Sequence, residues 1–156
     1  MEISLRNRQR DRGINMPFLR SLIRSVLQRE FEDPHAQLGV HLVSPKEMAE
    51  VNQHFLNHEG STDVITFDHS EGDSDGVYGE LFISVSDAVK QGAEYDASWQ
   101  SEVARYLIHG ILHLKGYDDI EPTDRKTMKR EENRILESVS ARHDLARLER
   151  PLAIAP

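Results

Sequence analysis

The stretch from Ser98 to Leu114 leaves a folding chain little choice. Read as a helix, it carries Val103, Ala104, Tyr106, Leu107, Ile108, Ile111 and Leu114 round most of its circumference, and what polar face remains lies beside two histidines. Such a helix cannot lie on a surface. The rest of the chain has to wrap it, and any chemistry the histidines carry then rests on a scaffold pinned by packing. His109 and His113 are four residues apart, one turn along the same face, so both imidazoles can aim at one cation. Gly116 suits a left-handed helix stop, which reverses the chain and brings a carboxylate back toward the pair. Asp119, six residues after His113, stands where that return leads, and Asp118 competes for the same place. Two nitrogens and one oxygen leave a position open to water, which is the arrangement of a catalytic metal rather than a structural one.

Around this helix the pattern alternates between strands and helices without a strict βαβ repeat. Ile3 to Arg8 alternates as a first strand, and the polar stretch R-D-R-G-I-N after it reads as a turn. Asn15 caps a helix from Met16 to about Glu30, with Phe18, Leu19, Leu22, Ile23, Val26 and Leu27 as its apolar stripe, and Asp33-Pro34 ends that segment. Leu38 to Val43 is a short strand with Leu38, Val40 and Leu42 on one face. Ser44 then caps a helix from Pro45 to about Phe55, with Pro at its first position and Glu47 in its first turn. Val64 to Phe67 and Leu81 to Val85 are β-rich. The acidic loop D-H-S-E-G-D-S-D-G between them lacks the spaced ligands of an EF-hand and is given no site. Helices from about Ser86 to Glu94 and from about Pro122 to Ser138 flank the histidine helix, the second with Met128, Ile135 and Leu136 on its apolar side. The fold class that follows is α+β: a single domain over residues 1–140, with a mixed sheet of about four strands covered by helices, and a frayed tail from Ala141 to Pro156.

Composition narrows the chemistry. The chain of 156 residues has no cysteine, so a metal has to be held by His, Asp or Glu, and a reducing cytoplasm is the expected compartment. The N-terminus lacks the apolar core of a signal peptide and no apolar run approaches membrane-spanning length, so no membrane partner is expected. A net charge of −8 argues against unspecific nucleic-acid binding. The charge is uneven, however. Residues 1–30 hold seven arginines against three acids, residues 57–96 hold ten acids and one lysine, and no lysine or arginine lies between Lys46 and Lys90. The segment expected to border the metal site thus has only His54, His58 and His69 as candidate cations, and His58 is the candidate phosphate contact.

The pattern H-x-x-x-H-x-x-G-x-x-D is close to that of the metzincin peptidases, which carry a glutamate directly after the first histidine as general base. Here that place is Gly110. The residues as they stand, H-G-I-L-H-L-K-G-Y-D-D-I-E, resemble instead the YbeY-type bacterial endoribonucleases of ribosomal RNA maturation, and S-T-D-V-I-T-F at Ser61 to Phe67 and G-E-L-F-I-S at Gly79 to Ser84 resemble that family's strand motifs in the right order. The similarity runs from about Met48 to Leu136. It implies an α+β fold with one metal, usually zinc, in a cleft, with His109 and His113 as ligands and Asp119 where the family usually has a third histidine. The aspartate adds negative charge and makes Mn2+ or Fe2+ possible beside Zn2+. A second departure is Leu56, which stands where the family typically has an arginine.

The expected function is accordingly a metal-dependent, single-strand-specific endoribonuclease in rRNA maturation and ribosome biogenesis. Its partners are single-stranded RNA or rRNA and a ribosomal subunit or ribosome-associated proteins. Water activated at the metal is the attacking group, and no side chain is identified as a general base. Two rivals come from other classes: a metallopeptidase, and a non-catalytic ribosome-associated protein whose metal is structural.

Overall fold

In the computed structural model, residues 1–56, 63–70 and 76–151 are described. Four strands, β1 (Glu2–Asn7), β2 (Gln37–Val43), β3 (Val64–Asp68) and β4 (Tyr78–Ser84), form one sheet in the order β1-β2-β4-β3. The first three in that order run parallel, and β3 returns antiparallel along β4. The sheet is therefore mixed, as the irregular alternation of elements implies.

Helix α1 (Met16–Ser25) begins where Asn15 Oδ1 accepts a hydrogen bond from the Phe18 amide at 3.1 Å, and its whole apolar stripe is buried. The helical path continues to Glu30, but Val26 to Glu30 widens into a π turn. Helix α2 (Pro45–Leu56) follows β2, with Ser44 Oγ accepting from the Glu47 amide at 3.2 Å. The strand expected to end at Val85 ends one residue earlier, because Ser84 Oγ accepts from the Asp87 amide and so caps α3 (Val85–Glu94). Helix α5 (Pro122–Arg142) runs a turn past the expected Ser138.

The expected frayed end is corrected over the residues described. His143 to Pro151 folds back, and a short 3₁₀ turn over Leu145–Leu148 buries both of its leucines. Ile14 bridges to Glu149, and the amides of Asn15 and Arg150 donate to the carbonyls of Leu148 and Gly13. Residues 152–156 lie outside the described residues.

At the centre is α4 (Trp99–Leu114), of which 11 of 16 residues are buried. Leu38, Val40, Leu42, Leu81 and Ile83 line the sheet face that joins the main core, into which α1 and α4 also send their apolar side chains. The alternate residues point the other way, where Val43, Met48, Val51 and Ile65 make a smaller core under α2, with Phe67 and Phe82 packed at its edge. Full burial of a leucine-sized side chain is worth about 1.5–3 kcal/mol, so α4 is fixed by many such contributions and can hold its histidines in one orientation.

Candidate metal centre

The end of α4 builds the site. The Gly116 amide donates to the His113 carbonyl at 3.0 Å and the Tyr117 amide to the Leu112 carbonyl at 3.0 Å, with Gly116 at φ +100°. This is a Schellman stop, and its left-handed residue is the reason a glycine stands there. The reversal also places the Tyr117 carbonyl 3.1 Å from His113 Nδ1. A carbonyl can only accept, so the proton of His113 sits on Nδ1 and the lone pair on Nε2.

His109 is set in the same way by a residue the sequence reading missed. Its Nδ1 donates to Glu132 Oε1 of α5 at 2.8 Å. Glu132 is 3% exposed. Burial alone would raise its pKa, but hydrogen bonds from His109, Arg105 and Lys129 outweigh that and hold it at about 2, so it is a carboxylate at neutral pH. Burial and the facing His109 ring lower the pKa of His113, with Asp119 and the Tyr117 carbonyl offsetting only part of the effect.

Both Nε2 atoms are thereby turned on each other as lone-pair donors, 3.2 Å apart. Two bare lone pairs at that distance repel, whereas two nitrogens bound at 2.0–2.1 Å to a tetrahedral ion would stand about 3.3 Å apart. Asp119 Oδ2 is 3.8 Å from His113 Nε2, and one ligand atom from each of His109, His113 and Asp119 falls within 4.8 Å of the others. The donor set fits a divalent ion. Asp118 is used differently: its Oδ1 accepts from the Ile120 amide at 3.0 Å, and it lines a separate hollow with Gly116 and Asp124.

His109 opens on a cavity of about 400 Å³ whose walls also include Asp63, Gln91, Arg105, Tyr106, Asp119, Arg125, Lys129 and Glu132. The Tyr106 hydroxyl is buried and has no hydrogen-bond partner among the described residues. Burial, followed by the charges of Asp63, Glu102 and Asp87, raises its pKa and keeps the proton on. The expectation of a cation-poor border is corrected in part, since three cations reach the cavity from α4 and α5. Of the histidines expected there, His58 lies outside the described residues, and His69 Nε2 is bound to Glu80 Oε2 at 2.7 Å. Glu132 left a sequence signal. It occupies an apolar position of α5, four residues after Met128 and three before Ile135, and a charge there calls for a buried partner.

Gly110 faces the sheet rather than the cavity. A Cβ there would stand 2.6 Å from Leu81 Cδ2, so any side chain at that position has to displace the buried Leu81 side chain of β4. No helix among the described residues is long and apolar enough to cross a membrane.

Comparison with known proteins agrees with this architecture. The family model described as Endoribonuclease YbeY matches residues 4–140. A protein of Salinibacter ruber named Endoribonuclease YbeY is 30% identical over 144 residues, covering 88% of this chain and 91% of its own length. One of Chlorobium phaeovibrioides with the same name is 32% identical over 141 residues, covering 90% and 93%. A solution structure of a Thermotoga maritima protein superposes with a TM-score of 0.67 at 28% identity, over 90% of each chain. With the family model spanning most of its length, the chain belongs to the YbeY endoribonuclease family.

Proposed function

We propose that this protein is a metal-dependent endoribonuclease that hydrolyses phosphodiester bonds of single-stranded RNA, acting in the cytoplasm on ribosomal RNA during ribosome biogenesis. The observation that carries the reading is the pair of Nε2 lone pairs converging with Asp119 at the edge of an open cavity, in a chain of this family. His109, His113 and Asp119 are the proposed ligands, and Zn2+ is the proposed ion, with Mn2+ and Fe2+ able to compete at a site holding a carboxylate. An ion held there supplies a Lewis acid for a phosphoryl oxygen and a water of lowered pKa.

The chain's own contribution is orientation. Glu132 and the Tyr117 carbonyl fix the proton of each imidazole on Nδ1, so both Nε2 atoms stay available for the ion without a rearrangement. Arg105 and Lys129 keep Glu132 charged and in place. Asp119, with its side chain 49% exposed, closes the set from the solvent side. A metzincin-type base at residue 110 would start from the sheet side of α4, against the Leu81 side chain, rather than from the cavity side. That geometry disfavours the peptidase reading.

The test is cleavage of a short single-stranded RNA with and without chelator, with casein as counter-substrate. Chelator-sensitive cutting of RNA, lost in His113→Ala, is the expected result. Cutting that persists in His113→Ala, or hydrolysis of casein instead, would refute the reading.

A further inference from the structure

Three cations line the cavity beside the histidine pair, and two of them are already engaged. Arg105 Nη1 and Lys129 Nζ lie 2.8 and 3.0 Å from Glu132 Oε2. Drawing either toward a ligand would uncover a buried carboxylate, which is unfavourable. Arg125 differs. It lies one turn before Lys129 on α5, is exposed, and its guanidinium has no hydrogen bond or ion pair with any described residue. Tyr106, on the α4 side, is a wall residue of the same cavity; it is 3% exposed, and its hydroxyl is buried without a partner among the described residues. The cavity volume of about 400 Å³ is that of a small-ligand seat, large enough for one nucleotide unit.

We propose that Arg125 is the phosphate-binding residue of this cavity, taking the backbone phosphate of single-stranded RNA that adjoins the linkage presented to His109, His113 and Asp119. The assignment rests on the endoribonuclease reading above. Its physical basis is threefold. The chain as a whole is acidic, at −8, so a polyanion has to be met by a local cation rather than by the overall field. The cavity wall itself carries Asp63 and Asp119, so an unengaged cation at the rim favours the entry of a phosphate. A guanidinium offers a planar fork of donors that matches two phosphate oxygens at once.

The experiment is equilibrium binding of the metal-loaded protein to a short single-stranded RNA with phosphorothioate linkages, which keep their charge and resist hydrolysis, read by fluorescence anisotropy across a salt series. Arg125→Gln should bind roughly tenfold more weakly near 0.1 M salt, and its log–log salt slope should fall by about 0.7, one phosphate contact. Arg125→Lys should keep the slope and lose only part of the affinity, because charge is retained and the fork is not. Arg24→Gln, exposed in the last turn of α1, should stay at the parent's values. On cleavable RNA, Arg125→Gln should raise KM more than it lowers kcat, with metal content unchanged. Parent-like affinity and slope in Arg125→Gln, from a parent that does cut RNA, overturn the assignment, and so does a loss shared equally by Arg24→Gln. A parent that neither binds nor cuts RNA overturns the endoribonuclease reading and this assignment together, so cleavage by the parent tells the two failures apart.

Discussion

Glu132 is almost fully buried in the cavity wall, yet the site depends on it. It accepts the Nδ1 proton of His109, so its loss would free that ring to take the other tautomer and turn a proton toward the ion. Glu132→Gln keeps an acceptor but removes the charge, and metal affinity is expected to fall by about 10–100-fold, measured by competition with a chelator of known strength. An unchanged affinity would show that packing alone orients His109. Asp119 acts on selectivity instead. A carboxylate donates more charge than an imidazole, so Asp119→His should shift competition titrations toward zinc and away from manganese and iron, while Asp118→Ala should leave the preference alone. The reverse pattern would identify Asp118 as the ligand. The histidines, Gly116 and the candidate aspartates were legible because they belong to one local motif whose geometry follows from helix spacing and a helix stop. Spacing within α5 could mark Glu132 as a charge in an apolar position, but its partner His109 is a contact from α5 to α4, which no spacing within one helix encodes.

At the scale of elements, what decides the site is how closely α4 approaches the sheet. Alanine is the better helix former by about 1 kcal/mol, so in isolation Gly110→Ala should stabilise α4. Against this, the added Cβ meets Leu81 at 2.6, 2.9 and 3.2 Å from its Cδ2, Cδ1 and Cγ atoms, and Leu81 is fully buried with no free side to swing into. Overpacking of this kind costs about 1–3 kcal/mol and should win, so Gly110→Ala is expected to lower the unfolding free energy by a net of about 1 kcal/mol and with it the urea midpoint. A raised midpoint would mean that β4 can yield. The helices themselves could be read from their stripes and from caps such as Asn15 and Ser44. Strand order was a different matter. Alternation shows which residues of β2 share a face, but nothing in it says that β4 is inserted between β2 and β3. The π turn after Ser25 is equally silent in a periodic pattern, since the apolar stripe ends at Leu27, before the extra residue can displace it.

For the whole molecule, the uneven charge of the sequence resolves partly into internal ties. Arg8 binds Glu47 through a bidentate pair, and Arg20 donates to the Ile3 carbonyl, so these two basic residues of the N-terminal region are structural. The described part of the tail was misread because its polar composition hides Leu145 and Leu148, which are buried in a turn packed against α1 and α4, and that packing becomes visible only once those helices are assembled. One tie joins the two ends of the chain and can be tested by pH. Glu30, at the end of the π turn, accepts from Ser138 Oγ at 2.8 Å and from Arg142 Nη2 at 2.7 Å, with Arg134 Nη1 at 3.5 Å. Burial would raise its pKa, but Arg142, Ser138 and Arg134 together bring it below the ordinary value of 4.5. A carboxylate whose pKa is lower folded than unfolded binds its proton more readily in the unfolded chain. Its contribution to stability is therefore complete above about 4.5 and is lost as pH falls through the lower folded value. Urea unfolding at neutral pH and near pH 3 should thus show Glu30→Gln less stable than the parent at neutrality, with the gap narrowing in acid. Because Glu80, Glu131 and Glu132 are also held below their usual range, both proteins should lose stability in acid, and only the difference between them reports on Glu30. A gap that stays constant across the two pH values would show that the tie works through packing of the side chain rather than through its charge.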